Sequence, residues 1–349
     1  MTDISHQTES PAPPLPAYSR ILFGPYGLRA GWSLLIAVVL FPLCTAAINS
    51  ILRATHLITN PHQLAHSPGP LYVFVTETAA FLAVALITWI MSRIEGRPIS
   101  VYGLGGTRKL RYLVLGALVG LIAISILVFV LLKTGLLIID RHLLFGSQAL
   151  LYAALWIPGF LAIGFFEEYL FRGYLQYTLA RGFAGIAERL SLSNPRTVGF
   201  WTAAFLVSFG FGAVHSSNPG ESPIGLLCAA LASLVFCLSL WRTGSLWWAV
   251  GMHAAWDYGQ SFLYGVGDSG IFVSPRLLET HPTGSPLLSG GTTGPEGSVF
   301  SLLVLAAIAV LIQITRYGPE QTYATRMPPT PVKPPLVPTE TASPTNQAG

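Results

Sequence analysis

The apolar residues of this chain fall into eight long runs, near 31–52, 70–92, 112–132, 159–180, 197–215, 222–241, 244–264 and 298–316. A helix needs roughly 20 mostly apolar residues to cross the hydrocarbon core of a bilayer, and each run meets that length. The runs are continuously apolar and do not alternate, so they predict helices and not barrel strands. A further apolar stretch, 147–157, stops at Pro158 and reads as an interfacial or half-buried lead-in to the fourth helix. The expected fold is all-α, a polytopic membrane bundle of about eight transmembrane helices. Between and around the helices, residues 1–29, with Pro11, Pro13, Pro14 and Pro16, predict a flexible tail. The segment 266–297 predicts a Gly-rich loop, and 317–349, rich in Pro and Thr, a disordered tail. The first run begins near residue 31 and is long enough to span, which predicts an uncleaved anchor and not a removable signal peptide.

Composition sharpens this picture by exclusion. Apolar residues make up 52% of the chain and charged residues 10%, against roughly 25% charged in a soluble domain. Too few charges exist to wet the surface of a compact soluble fold. The net charge of +4 is accounted for by basic loops, so no nucleic-acid partner is expected. With the N-terminus inside and spans alternating, fourteen Lys and Arg fall on the inner segments. Only Arg53, Lys133, Arg141 and Arg276 fall outside, and Arg172 sits within a span. This asymmetry predicts both termini on the cytoplasmic side. Cys44, Cys228 and Cys237 all lie in apolar runs and read as small buried hydrophobes.

Against that background, ionisable residues inside the runs stand out. A charge at mid-membrane costs roughly 2.5–3.5 kcal/mol on insertion scales; four of the eight runs contain no Asp, Glu, Lys or Arg, and the last contains only Arg316 at its very end. The exceptions are Glu77 in the second run, Glu167, Glu168 and Arg172 in the fourth, and Asp257 in the seventh. His215 ends the fifth and His253 lies within the seventh. Taken singly, each has an ordinary structural reading. Glu168 and Arg172, at i,i+4, make an ion pair; His215 is interfacial beside Ser216, Ser217 and Asn218. His253 and Asp257 form an interhelical clamp, and Glu77, near one end of its span, snorkels or pairs. Jointly, six of seven such groups on three late helices point to one shared site. Glu167 points about 100° away from Glu168 around the helix, which leaves one carboxylate free while Arg172 neutralises the other. Phe211 and His215 share a helix face in the same way. A free carboxylate with two histidines can bind and deprotonate a water, with or without a metal.

Three of these segments resemble a family's motifs. Glu167-Glu168-Tyr169-Leu170-Phe171-Arg172 is similar to EExxxR of the CAAX-processing and bacteriocin-processing (CPBP, or Abi) intramembrane proteases. Phe211-Gly212-Ala213-Val214-His215 is similar to FxxxH, and His253-Ala254-Ala255-Trp256-Asp257 to HxxxN/D. All occur in the expected order, so residues 147–265 resemble the catalytic core of that family. The resemblance implies an α-helical membrane endopeptidase related to the type II CAAX prenyl endopeptidases, cleaving a membrane-associated protein or peptide, with a bacterial inner membrane as the expected location. It implies Glu167 as general base with His215 as its partner. Glu168, Arg172 and Phe211 are supporting, and His253 and Asp257 stabilise the oxyanion or hold a metal. A divalent ion such as zinc, held by Glu167, His215, His253 and Asp257, is left open. Better-known members carry Asn at the position of Asp257, and an ionised Asp cannot donate to an oxyanion; it would orient His253 or bind a cation. No HExxH is present.

Two rival functions use the same residues. A proton- or ion-coupled transporter would use the buried Glu/His/Asp set as a relay, although the charges sit in one half and no internal symmetry is visible. A catalytically silent scaffold or immunity protein would keep the fold and tolerate replacement of Glu167, His215 and His253. Gly267-Asp268-Ser269-Gly270 resembles a serine-protease nucleophile signature, but nothing around it predicts the supporting β-barrels, and it is set aside. With the N-terminus inside, His215 and Glu167 both lie toward the outer face, whereas prenylated CAAX substrates present themselves at the cytoplasmic one.

Overall fold

A computed structural model describes residues 21–24, 27–55, 67–315 and 317. The expected tails, 1–29 and 317–349, lie outside the described residues apart from 21–24, 27–29 and Tyr317. The chain is an all-α bundle of an integral, multi-pass membrane protein. Among the described residues six helical stretches are long and apolar enough to cross a bilayer, with one shorter apolar helix, Val299–Ile314, besides. After the two-residue strands β1 (Phe23–Gly24) and β2 (Gly27–Leu28) come α1 (Ala30–Ala54), α2 (Pro70–Ile94) and α3 (Lys109–Lys133). Next are β3 (Leu137–His142), α4 (Gly146–Glu168), α5 (Gln176–Arg189), α6 (Pro195–Val214), α7 (Pro223–Thr243) and α8 (Trp247–Asp257). The chain closes with β4 (Leu278–Pro282), the short α9 (Pro286–Ser289) and α10 (Val299–Ile314). Cys44, Cys228 and Cys237 are unpaired thiols; the last two are buried and Cys44 is half-buried.

The fourth span differs from its sequence reading at both ends. Pro158 does not stop the helix: α4 starts at Gly146 and runs through it, because a proline removes one N–H from the ladder and the neighbouring turns hold the rest. A π-helical turn, Tyr169–Leu175, then leads straight into α5, making one rod of 44 residues, Gly146–Arg189. At 1.5 Å per residue that is about 66 Å, twice the hydrocarbon thickness. Its last part is amphipathic and stays helical because its polar residues are paired. Arg181 donates to Glu95 at 2.9 Å, and the same carboxylate takes Arg97 at 3.0 Å and the Ser33 hydroxyl at 2.7 Å.

Close packing of α8 on α3 sets the position of the late histidine. The two backbones approach through glycines: a Cβ on Gly116 would lie 2.0 Å from the Trp248 carbonyl oxygen, one on Gly120 2.3 Å from that of Met252, and one on Gly251 2.0 Å from that of Leu113. Small residues at such crossings let transmembrane helices gain contact along their whole length. Because the obstacles are backbone carbonyls, which cannot rotate aside, Gly251→Val is expected to destabilise the detergent-solubilised protein by about 1–3 kcal/mol. A thermal-melting series checks this against Gly210→Ala, a site with nothing within 4 Å, which should melt as wild type or higher.

The expected loop 266–297 is an ordered cap. Its strand β4 pairs antiparallel with β3, Leu137 opposite Pro282 and His142 opposite Leu278, with one irregularity between Ile139 and Arg141. This ties the α3–α4 connection to the segment between α8 and α10. Gly270, at φ +80°, packs directly on Gly220, where a Cβ would meet backbone at 2.5 Å. The left-handed turn and the close approach both require glycine there. The cap, the α1–α2 connection at Pro68 and the α6–α7 connection at Asn218 thus gather at one end of the bundle, around a cavity.

Candidate active site

The cavity measures about 350 Å³ and lies among α2, α4, α6, α7, α8 and the cap. Glu167, His215, His253 and Asp257 all line it. Glu167 and Glu168 are the last two residues of α4, and Asp257 is the last of α8. Each helix passes into a π turn immediately beyond them, Tyr169–Leu175 and Tyr258–Leu263. Such turns re-phase the faces of a helix and recur at functional sites. Here they let the acids face the cavity while the chain beyond packs elsewhere.

The i,i+4 spacing on α4 gives the expected ion pair: Arg172 Nη1 lies 3.1 Å from Glu168 Oε1, with both side chains fully buried. The guanidinium is held between two rings, 4.3 Å from the Phe211 centroid and 5.1 Å from that of Phe236. Glu168 does more than neutralise Arg172. The same Oε1 lies 2.9 Å from His253 Nδ1, so the histidine donates through Nδ1 and its tautomer is assigned by that bond. Phe236 stacks on the imidazole at 5.2 Å and 18°. With Nδ1 taken, Nε2 faces the cavity, 3.6 Å from Glu167 Oε2 and 3.5 Å from Asp257 Oδ2. Orientation of His253 therefore comes from Glu168, where the sequence suggested Asp257.

His215 sits on the first turn after α6 and donates from Nδ1 to the Phe211 carbonyl at 2.7 Å, its ring 4.8 Å from that of Phe211. Phe211 thus touches Arg172 and both histidines; its ring is 6.1 Å from His253. His215 and Glu167 line the same cavity but form no direct hydrogen bond or ion pair. Glu167 keeps a side chain 22% exposed toward the cavity, while its Oε2, itself shielded, has no hydrogen-bond partner.

The metal set left open at Glu167, His215, His253 and Asp257 is not assembled. Among the described residues no three His, Cys, Asp or Glu side chains converge as metal ligands. The site fits hydrogen-bonded water better than a four-coordinate ion.

Three cavity carboxylates escaped the sequence reading. Glu77, read as snorkelling or paired, lines the cavity with Glu167, and the cap brings in Asp268 and Glu296. The Gly267–Gly270 segment set aside above is part of this wall, but Ser269 Oγ donates to Glu296 at 2.9 Å and has no imidazole partner. Burial raises the Asp268 carboxyl well above the usual range, with the charges of Asp257 and Glu296 adding to it. Burial raises Glu296 as well, offset in part by the N–H and hydroxyl of Ser269. A usable signal existed: the segment 265–297 holds only four formal charges, and Arg276 and Glu279 form a loose pair at 3.9 Å, which leaves Asp268 and Glu296 without a partner in sequence.

Residues 148–259 match the model of one protein family, Rce1-like, described as type II CAAX prenyl endopeptidase Rce1-like. The matched segment runs from α4 into the π turn after α8. It contains every residue of the three motifs and ends before Asp268 and Glu296. No curated protein matches the chain.

Proposed function

We propose, from the premise that residues 148–259 form a domain of the Rce1-like type II CAAX prenyl endopeptidase family, that this integral membrane protein hydrolyses a peptide bond within its own helical bundle. The observation that carries this reading is one cavity lined by Glu167, His215, His253 and Asp257. In it Glu167 takes a proton from a water held between its carboxylate and His215. The water oxygen attacks the scissile carbonyl carbon, the proton passes to the departing nitrogen as the C–N bond breaks, and the second water proton leaves the new carboxyl group for the amine, giving a carboxylate and an ammonium. His253, fixed through Nδ1 by Glu168, presents Nε2 as donor to the developing oxyanion. Asp257 steadies the charge on that imidazole. Arg172 and Phe211 hold Glu168 and the two rings in register.

The test is a comparison of membrane proteomes from cells with the wild-type chain and with Glu167→Gln, mapped by C-terminal peptides. A partner shortened only by the wild type is the expected result. Identical C-termini in the two samples would sink the assignment.

The cavity opens at the end of the bundle carrying the α1–α2, α3–α4, α6–α7 and α8–α10 connections. Those connections hold few basic residues, while Arg93, Arg97, Arg108, Lys109, Arg111, Arg189, Arg196 and Arg242 gather at the other end. By that asymmetry the mouth faces away from the cytoplasm, the periplasmic side if the chain sits in a bacterial inner membrane. The substrate segment is then exposed on that side, unlike a prenylated cytoplasmic tail. A cysteine at exposed Ser285, Ser285→Cys, should react with a membrane-impermeant maleimide in intact spheroplasts. Labelling only after lysis would reverse the orientation.

A further inference from the structure

The wall of the cavity carries more carboxyl groups than hydrolysis uses. Five carboxylates face it (Glu77, Glu167, Asp257, Asp268 and Glu296) together with two imidazoles, and no Lys or Arg lines it. The two cap acids are each anchored through one oxygen. Asp268 Oδ2 accepts the Ser261 hydroxyl at 2.8 Å, and Glu296 Oε1 accepts from Ser269. The second oxygen of each takes no hydrogen bond from the described residues. Asp257, its side chain only 9% exposed, likewise makes no hydrogen bond, its nearest partner being His253 Nε2 at 3.5 Å. His253 answers Glu167 and Asp257, but no cation among the lining residues faces Asp268 and Glu296 so closely, and a cleft rich in carboxylates concentrates its field on a ligand of the opposite sign.

We propose that Asp268 and Glu296, together with Asp257, form a subsite for a basic side chain, Lys or Arg, of the peptide substrate beside its scissile bond. This rests on the endopeptidase reading and supplies its substrate class. A compact metal ion fits less well, because no three side chains converge on one point. The acids share the cavity wall with Trp256, Ile271 and Leu305. That mixture suits a long side chain whose methylenes lie on apolar surface while its charged head reaches carboxylates. The Asp268 and Glu296 oxygens left open accept N–H groups of an ammonium or guanidinium.

The experiment measures binding and cleavage separately. The full chain carrying Glu167→Gln, in lipid nanodiscs, is titrated with fluorescent lipid-anchored dodecapeptides. The peptides are identical except that one position, stepped along the segment beside the anchor, is Lys, Arg, norleucine or Glu. Lys and Arg at one register should bind about tenfold more tightly than norleucine, with Glu weakest. The preference should shrink to within about twofold in Asp268→Asn/Glu296→Gln. Asp268→Lys, a second variant, should reverse the order in favour of Glu. Equal binding of Lys and norleucine at every register overturns the proposal, and so does a preference that survives both variants. Saturable binding of Mg²⁺, Ca²⁺ or Zn²⁺ that displaces the Lys peptide, and is lost with Asp268→Asn, assigns the acids to a metal and overturns it too. The active chain is then given the same peptides. Selective binding with no cleavage sinks the endopeptidase reading and leaves the subsite, whereas cleavage without preference does the reverse.

Discussion

Glu167→Gln, inserted and folded like the wild type, is expected to cleave its substrate about 10²–10⁴-fold more slowly, the range typical for removing a general base. Glutamine keeps the size of the side chain and the position of its oxygen, but it cannot take the proton of the attacking water. Binding should survive, because Glu168, Arg172 and His253 keep their contacts without Glu167: Nδ1 of the histidine stays on Glu168 at 2.9 Å. The measurement is kcat on one peptide substrate alongside its Kd. A loss confined to Kd would move Glu167 from chemistry to binding. Full activity would end its role as base. The transporter alternative gives a contrasting expectation, since a relay carboxylate would change ion flux in proteoliposomes and leave no cleaved product.

Arg172→Ala should be the most damaging single change to stability. The guanidinium, sealed between Phe211 and Phe236, compensates a Glu168 carboxylate whose side chain has no exposure. Removing one partner of a buried pair strands the other, at about 3–5 kcal/mol. His253 also depends on Glu168, so activity and folding should fail together. A double change separates the causes: Glu168→Gln/Arg172→Met removes both charges while the amide oxygen can still accept from His253 Nδ1. Its melting temperature should recover most of what the single variant loses, a coupling that a double-mutant cycle reads directly. If the double variant melts no higher than Arg172→Ala, the stranded charge is not the cause.

Much of this site was legible in the sequence, and for definite reasons. In a chain with 10% charged residues, an ionisable group inside an apolar run is conspicuous, and the 3.6-residue period fixes which neighbours share its face. Glu168 with Arg172, and Phe211 with His215, follow from spacing alone. Spacing within a helix says nothing about contacts between helices. It could not reveal that Glu168 holds His253 Nδ1, nor that this turns Nε2 toward Glu167 and Asp257. Nor could it foretell that α4 runs through Pro158 and on to Arg189, because partners on other elements, Glu95 among them, keep those residues helical.

The eight apolar runs determine an all-helical membrane protein, since a bilayer leaves no other way to satisfy so much backbone. The intramembrane acids and histidines mark where chemistry belongs. The tertiary structure decided which of them meet, and added Glu77, Asp268 and Glu296. Glu77 comes in on α2, and Asp268 and Glu296 on the cap, which the β3–β4 ladder and the contact of Gly270 with Gly220 hold over the bundle. Local periodicity carries no information about such closures, which arise only when the cap folds back over the bundle.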